Sequence, residues 1–143
     1  MLTTIEKVIF LQEINIFEFT STEDLAYIAA ITDEIQVKAN NNIFKEGEIS
    51  DAMYMVIEGA VRLHRNGEEV TVARNKEVFG TWSLFDDEPR IATATTLENS
   101  LLLRIAKEDF VDLLSDHIRI TQSVFKALMK SIKGQIYQAV DTN

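Results

Sequence analysis

The sequence of 143 residues has no cysteine, a single proline, five glycines and two histidines. The missing cysteine excludes a disulfide framework, thiolate catalysis and any zinc site built on sulfur. His64 and His117 are too few for a His-rich metal centre, so no metal is expected. With so little Pro and Gly there is no flexible linker, and no segment is of low complexity. Basic charge is short as well. The 14 Lys and Arg stand against 23 Asp and Glu, a net charge of −9, which argues against nucleic acid as the principal partner. The longest apolar runs, such as Leu101-Leu102-Leu103, fall far below the ~18 residues of a membrane span, so no membrane partner is expected. The opening MLTTIEKVIF lacks the basic, apolar and small-residue succession of an export signal, and a cytoplasmic location is the expectation.

What is present is 46% apolar and 26% charged residues, which at ~100–200 residues per domain predicts one domain over 1–143. A chain of this length typically buries ~68–70% of its unfolded surface, enough for one core without covalent staples. Thr3 and Glu6 have capping-box spacing ahead of Val8, Ile9 and Leu11, which predicts an opening helix. Thr20 or Ser21 caps a second, with Leu25, Ile28, Ala29 and Ile31 as its apolar stripe, so helices fill 3–31. Over 35–106 the period changes to two: Ile35 and Val37, Met53 to Ile57, Val61 and Leu63, Val70 and Val72. Met53 and Met55 are expected to fill the interior of the resulting barrel. Asn66-Gly67 between two such runs predicts a type I′ hairpin. Gly47, Gly59 and Asn40-Asn41-Asn42 mark further turns. Turns recurring about every ten residues predict a mainly β fold with flanking helices, a jelly-roll-like β-roll or double-stranded β-helix. Over 107–140 the period returns to 3.6. Phe110, Val111 and Leu114 predict a short helix, and Asp116 an N-cap for a long one reaching about Val140.

Within that last helix Ile118, Phe125, Ile132 and Ala139 recur every seven residues, with Leu128 and Ile136 beside them. Such a seam buries itself either on its own roll or against a second copy, giving a homodimer, and the sequence weighs the two equally.

Residues 79 to 93 carry the clearest chemistry: Phe79-Gly80-Thr81-Trp82-Ser83-Leu84-Phe85-Asp86-Asp87-Glu88-Pro89-Arg90-Ile91-Ala92-Thr93. A glycine that lets the backbone come close, free amides at the start of a short turn and one guanidinium are the means of holding a small anion. The same residues also read as a surface ion pair between Arg90 and the acidic run Asp86-Asp87-Glu88. Three consecutive acids do not converge readily on one cation, so that run reads as a solvated loop. No nucleophile stands with a base and no Ser sits in a nucleophile elbow, so no catalysis is predicted.

This stretch resembles the phosphate-binding cassette of the cyclic nucleotide-binding domain family, the domain of catabolite activator protein and protein kinase A regulatory subunits. The family pattern runs Phe-Gly-Glu, small and apolar residues, then Pro-Arg, any residue, Ala and Thr or Ser. Ile43-Phe44-Lys45-Glu46-Gly47 with Asp51, Met53, Tyr54, Val56, Ile57 and Gly59-Ala60-Val61 resembles its early strands. Leu102-Leu103-Arg104-Ile105 with Phe110 and Leu114 resembles its last strand and first C-terminal helix. The resemblance implies an eight-stranded roll behind a helical pair, closed by C-terminal helices of which one lids the pocket or makes a dimer. It implies that Arg90 pairs with the phosphate of a cyclic mononucleotide, cyclic AMP or cyclic GMP, with no other cofactor. Gly80, Ile91 and Ala92 would offer backbone contacts, Phe79 would open the cassette, and Thr93 would stand where a hydroxyl is common.

Three departures matter. Thr81 stands where the family has the Glu that accepts from the ribose 2′-hydroxyl; a hydrogen bond to a charged group is worth ~1.5–3 kcal/mol, so its loss costs about 10- to 150-fold in affinity. Ile91 brings bulk where a small residue is usual and would crowd the phosphate. Asn75 and Lys76 stand where a Gly-containing turn is common. Trp82 occupies a position usually apolar, which makes it a core or rim aromatic rather than a base-stacking one. The expected function is a regulatory sensor domain with weak or lost nucleotide affinity, in which a ligand at Arg90 repositions the C-terminal helices. The alternatives are an interaction or dimerisation module through Ile118, Phe125, Leu128 and Ile132, or the sensor part of a transcription regulator without its DNA-binding domain. Relatives of the latter type continue into a winged helix, whereas this sequence ends at Asn143, so DNA binding by this chain is not expected.

Overall fold

The computed structural model describes residues 1–141. Helix α1 (Thr4–Leu11) opens with the reciprocal cap that the sequence predicts. The Thr3 hydroxyl accepts the Glu6 amide at 3.1 Å, and the Glu6 carboxylate accepts the Thr3 amide at 3.0 Å. Those hydrogen bonds from Thr3 hold the Glu6 carboxyl below its ordinary value. A 3-10 turn (Asn15–Phe17) leads to α2 (Thr22–Ala30), capped by Ser21 through the Asp24 amide. Leu25, Ile28 and Ala29 are buried as a stripe of helical spacing demands.

Eight strands follow: β1 (Thr32–Val37), β2 (Asn42–Phe44), β3 (Ala52–Glu58), β4 (Val61–Arg65), β5 (Glu68–Ala73), β6 (Val78–Phe79), β7 (Thr93–Thr96) and β8 (Ser100–Ala106). They form two antiparallel sheets, ordered β1-β8-β3-β6 and β2-β7-β4-β5, the jelly-roll-like β-roll that the periodicity predicts. Strand pairing starts at Thr32 rather than at residue 35, because Thr32 and Asp33 lie opposite Ile105 and Arg104. The Thr32 hydroxyl is used locally, donating to the Ala29 carbonyl at 2.8 Å. Asn66 and Gly67 take φ of 52° and 80°, the left-handed pair of a type I′ hairpin. Gly59 turns at φ 113°, and a Cβ there would lie 2.8 Å from the Ser100 Cα, so only glycine fits.

Strand β3 corrects one expectation. Ala52, Tyr54 and Val56 face the roll interior with Phe44, Val61, Phe79, Ala94 and Leu102. Met53 and Met55 point the other way, into a second core shared with Leu11, Ile28 and Phe110 of the helices. They do not fill the barrel. The strand is central in its sheet and covered by helices outside, so both of its faces are apolar and alternation alone does not tell which is inner.

Helices α3 (Lys107–Asp116) and α4 (Ile118–Asp141) close the chain. Phe110 and Leu113 are the buried residues of α3, whereas Val111 is 44% exposed, so the predicted pairing of Phe110 with Val111 is corrected to an i, i+3 stripe. Asp116 does not cap α4 but ends α3. The His117 carbonyl accepts the Ile120 and Thr121 amides at 3.1 and 3.2 Å and starts the new helix. The His117 ring packs on Tyr27 with centroids 4.4 Å apart.

Helix α4 meets the domain through Ile120, Val124 and Ala127, which are buried. Polar contacts fix it there: Arg119 donates to the buried Asp24 carboxylate at 2.8 Å, and the Thr20 and Ser123 hydroxyls are 2.8 Å apart. The heptad seam is a different stripe. Ile118, Phe125 and Ile132 are 67, 62 and 47% exposed, and only Leu128 leans on the helical core. Among the described residues no helix is long and apolar enough to cross a membrane.

Candidate functional site

Strand β6 ends at Gly80, whose φ of 75° is left-handed, and the chain then enters a 3-10 turn (Thr81–Leu84). A Cβ on Gly80 would stand 2.8 Å from Arg90 Nη1 and 3.3 Å from the Ala52 carbonyl, so the missing side chain lets the backbone cross the guanidinium. The turn is anchored by Ser83, whose buried hydroxyl lies 2.7 Å from the Ala52 carbonyl and 2.5 Å from that of Gly80. Leu84 enters the helical core, and Phe85 meets Phe110 of α3 edge-on with centroids 6.1 Å apart. Lys107, the first residue of α3, bonds the Asp86 carbonyl and the Asp87 carboxylate. Its hydrogen bond and charge hold the Asp87 carboxyl below its ordinary value.

Arg90 is 5% exposed. Its backbone is fixed by two hydrogen bonds of 2.8 Å, from its amide to the Glu48 carbonyl and from the Gly47 amide to its own carbonyl. The guanidinium carbon lies 3.9 Å from the centroid of the Phe44 ring, and Nη2 donates to the Ala52 carbonyl at 2.7 Å. Asp51 stands 3.5 Å from Nη2 and reaches Arg104 at 3.6 Å with its other oxygen. Nε has no partner, and among the described residues it is the buried side-chain polar atom left without one. Burial pushes the guanidinium pKa down while Tyr54 and Asp51 oppose it and Arg104 adds to the fall; an arginine so placed keeps its charge at neutral pH.

The guanidinium lines a cavity of about 580 Å³ together with Phe44, Leu63, Gly80, Thr81 and Trp82. That volume lies within the ~300–1,000 Å³ of small-molecule sites. An apolar floor, a desolvated cation and a spare N–H donor suit the anionic end of a small ligand, a phosphate or a carboxylate. No group of three His, Asp or Glu side chains that could hold a metal occurs among the described residues.

The residues singled out from the sequence divide into two sets. Gly80, Thr81, Arg90, Ile91 and Ala92 line the cavity. Phe79 and Thr93 do not. Phe79 is buried behind it, stacked on Tyr54 with centroids 5.3 Å apart, and the Thr93 hydroxyl accepts the Glu46 amide at 3.0 Å. Both lie outside the cavity lining. Ile91 lines the cavity and is 57% exposed. Trp82, 68% exposed, is a rim aromatic. Lys76 takes φ 69°, a strained stand-in for the glycine usual at such a turn. The acidic run does not hold Arg90, since Asp87 is taken by Lys107 and the acid beside Arg90 is Asp51. The sequence assigns no site role to Asp51, Glu46 or Arg65, because isolated charges in loops and strand ends carry no periodic signal.

Comparison with known proteins agrees with this geometry. A CRP-like cAMP-activated global transcriptional regulator of Mycobacterium tuberculosis is 27% identical over 114 residues, 74% of this chain and 51% of that protein. A cAMP-dependent protein kinase regulatory subunit of Aspergillus niger is 30% identical over 107 residues, 73% of this chain and 26% of that protein. The chain thus spans about half the length of the first and about a quarter of the second. Among solved structures, the N-terminal domain of a transcriptional regulator from Streptomyces coelicolor superposes with a TM-score of 0.83 at 27% identity, covering 91% of this chain and 94% of that one. Residues 34–117 match the family described as Cyclic nucleotide-binding domain. With the roll, the glycine-led turn and the buried arginine in place, the match settles the family: this chain belongs to the cyclic nucleotide-binding domains.

Proposed function

We infer that the chain is a non-enzymatic regulatory sensor domain that takes the phosphate of a cyclic mononucleotide on Arg90 and binds it weakly. The observation that carries this reading is the Arg90 guanidinium, which lines a cavity of ligand size and holds a buried Nε–H without a partner. A desolvated donor without an acceptor costs ~1–3 kcal/mol, and a phosphate oxygen would remove that cost. Relatives whose names include cAMP supply the ligand class. Weakness follows from Thr81, whose short hydroxyl lines the cavity where a carboxylate would accept from ribose. The output runs through α3: Leu84, the Phe85–Phe110 contact and the Lys107–Asp87 pair tie the cassette to it. A ligand that favours one placement of the cassette thereby favours one placement of the helix. Calorimetric titration with cyclic AMP and cyclic GMP tests this. Binding weaker than micromolar is expected, tightened about 10-fold or more by Thr81→Glu. Absence of binding at millimolar ligand in both proteins would overturn it.

The exposed stripe of α4 favours a second reading, self-association. Ile118, Phe125, Ile132 and Ile136 present apolar surface along a helix whose buried side is a different stripe. Sedimentation should show a dimer that Phe125→Glu converts to monomer; a strict monomer at high concentration contradicts it.

A further inference from the structure

A second guanidinium stands on the same cavity. Arg65 ends β4 and lines the space with Leu63, the residue two before it on the same face of the strand. Register places it at the cassette. His64 is paired with Thr93 in the antiparallel β4–β7 ladder, so Arg65 comes alongside Ala92, two residues from Arg90. Its only ion pair among the described residues is loose: Nε lies 3.8 Å from the Glu46 carboxylate, with the Arg65 side chain 59% exposed. Glu46 is itself fixed beside the cassette, through its amide on Thr93, and also lines the cavity.

We propose that Arg65 is a second contact for the anionic group held by Arg90, exchanging Glu46 for a phosphate oxygen when a ligand enters. The proposal rests on the sensor reading above and adds to it a residue and a competition. A long side chain at 3.8 Å from its acid forms no short hydrogen bond, so little is lost when it swings away. A phosphate oxygen offers a guanidinium the paired geometry that one distant carboxylate oxygen does not. Arg90 supplies the desolvated, fixed donor; Arg65 closes from the rim. Glu46 then acts as a built-in competitor, which distinguishes this arrangement from a simple basic pocket.

The test is calorimetric titration of the whole chain with cyclic AMP, comparing the wild type with Arg65→Ala, Arg65→Lys, Glu46→Gln, Arg62→Ala and Arg90→Ala. Arg65 is exposed, and surface changes of this kind usually leave stability nearly unchanged, so folding is not at issue. Arg65→Ala should weaken binding about 3- to 10-fold, and Arg65→Lys should recover only part of that. Glu46→Gln should tighten it, because the competitor is gone. Arg62, the neighbouring position on the other face of β4, carries the same charge and should matter little when removed. If Arg62→Ala matches Arg65→Ala, the effect is one of net charge and the contact is refuted. If Arg65→Ala and Glu46→Gln both weaken binding, the pair is a structural brace and the proposal fails. If Arg90→Ala abolishes binding while Arg65→Ala leaves it unchanged, only this inference falls. If Arg90→Ala leaves binding intact, the sensor reading falls with it.

Discussion

Replacing Arg90 with Met separates a ligand-binding arginine from a structural one. In the folded chain Arg90 contributes a contact over the Phe44 ring, a hydrogen bond to the Ala52 carbonyl and an ion pair at 3.5 Å with an exposed acid. Those are worth ~0.5–2, ~1.5–3 and ~0–1 kcal/mol respectively. Against them stands the unpartnered Nε, at a cost of ~1–3 kcal/mol. Removing the guanidinium strands no partner: the Ala52 carbonyl keeps Ser83 and Asp51 keeps Arg104. Methionine replaces the apolar stem and can fill the space beside Phe44. The expected net change is a loss of no more than about 2 kcal/mol, read as a shift of the urea midpoint at constant slope. Cyclic nucleotide binding should disappear in the same variant. A loss above ~3 kcal/mol would be the signature of a buried structural ion pair broken at one end, and would refute the assignment of Arg90 to a ligand.

Three further outcomes follow from the packing. Gly59→Ala would press a Cβ to 2.7 Å from the Ser100 Cβ at φ 113°, so a loss of about 2–4 kcal/mol in urea denaturation is expected, and a neutral result would contradict the close approach of the two strands. Phe110→Ala removes a fully buried ring shared by α3 and the sheet and should cost about 3–5 kcal/mol, with Phe85 of the cassette losing its edge contact; heightened amide exchange over the turn after Gly80 checks the second effect. Thr3→Ala undoes the cap of α1 and should lower the urea midpoint at neutral pH. The Glu6 carboxyl sits below its ordinary value in the folded chain, so its share of that stability is present above the unfolded value of about 4.3 and is lost as pH falls through the folded one. The gap between wild type and variant should therefore narrow in acid, and a gap independent of pH would show that Glu6 takes no part.

The parts of the fold legible in the sequence are those fixed by local geometry. Thr3 with Glu6, Ser21 and Asn66-Gly67 each satisfy a backbone requirement within a few residues, and each stands where the spacing places it. What depends on tertiary cover was not legible. Met53 and Met55 read as interior residues because a strand buried on both faces has no polar side to orient it. The α4 seam was visible, but not that Ile120, Val124 and Ala127 would make the intramolecular contact, since an amphipathic helix with two apolar stripes does not say which one its own domain takes. At the site, the cassette residues from Gly80 to Ala92 were found by resemblance. The surroundings that give Arg90 its character, Phe44 beneath it, Asp51 beside it and the Ala52 carbonyl, come from a strand and a connection remote in sequence.

One buried N–H of Arg90 waits for an acceptor. Nitrogen-15 NMR of the arginine Nε–Hε signals during titration with cyclic AMP or cyclic GMP reads that atom itself. The Arg90 signal, assigned through its loss in Arg90→Met, should move downfield as ligand is added. A signal unmoved at millimolar ligand, or one already at a hydrogen-bonded shift before any is added, would contradict this.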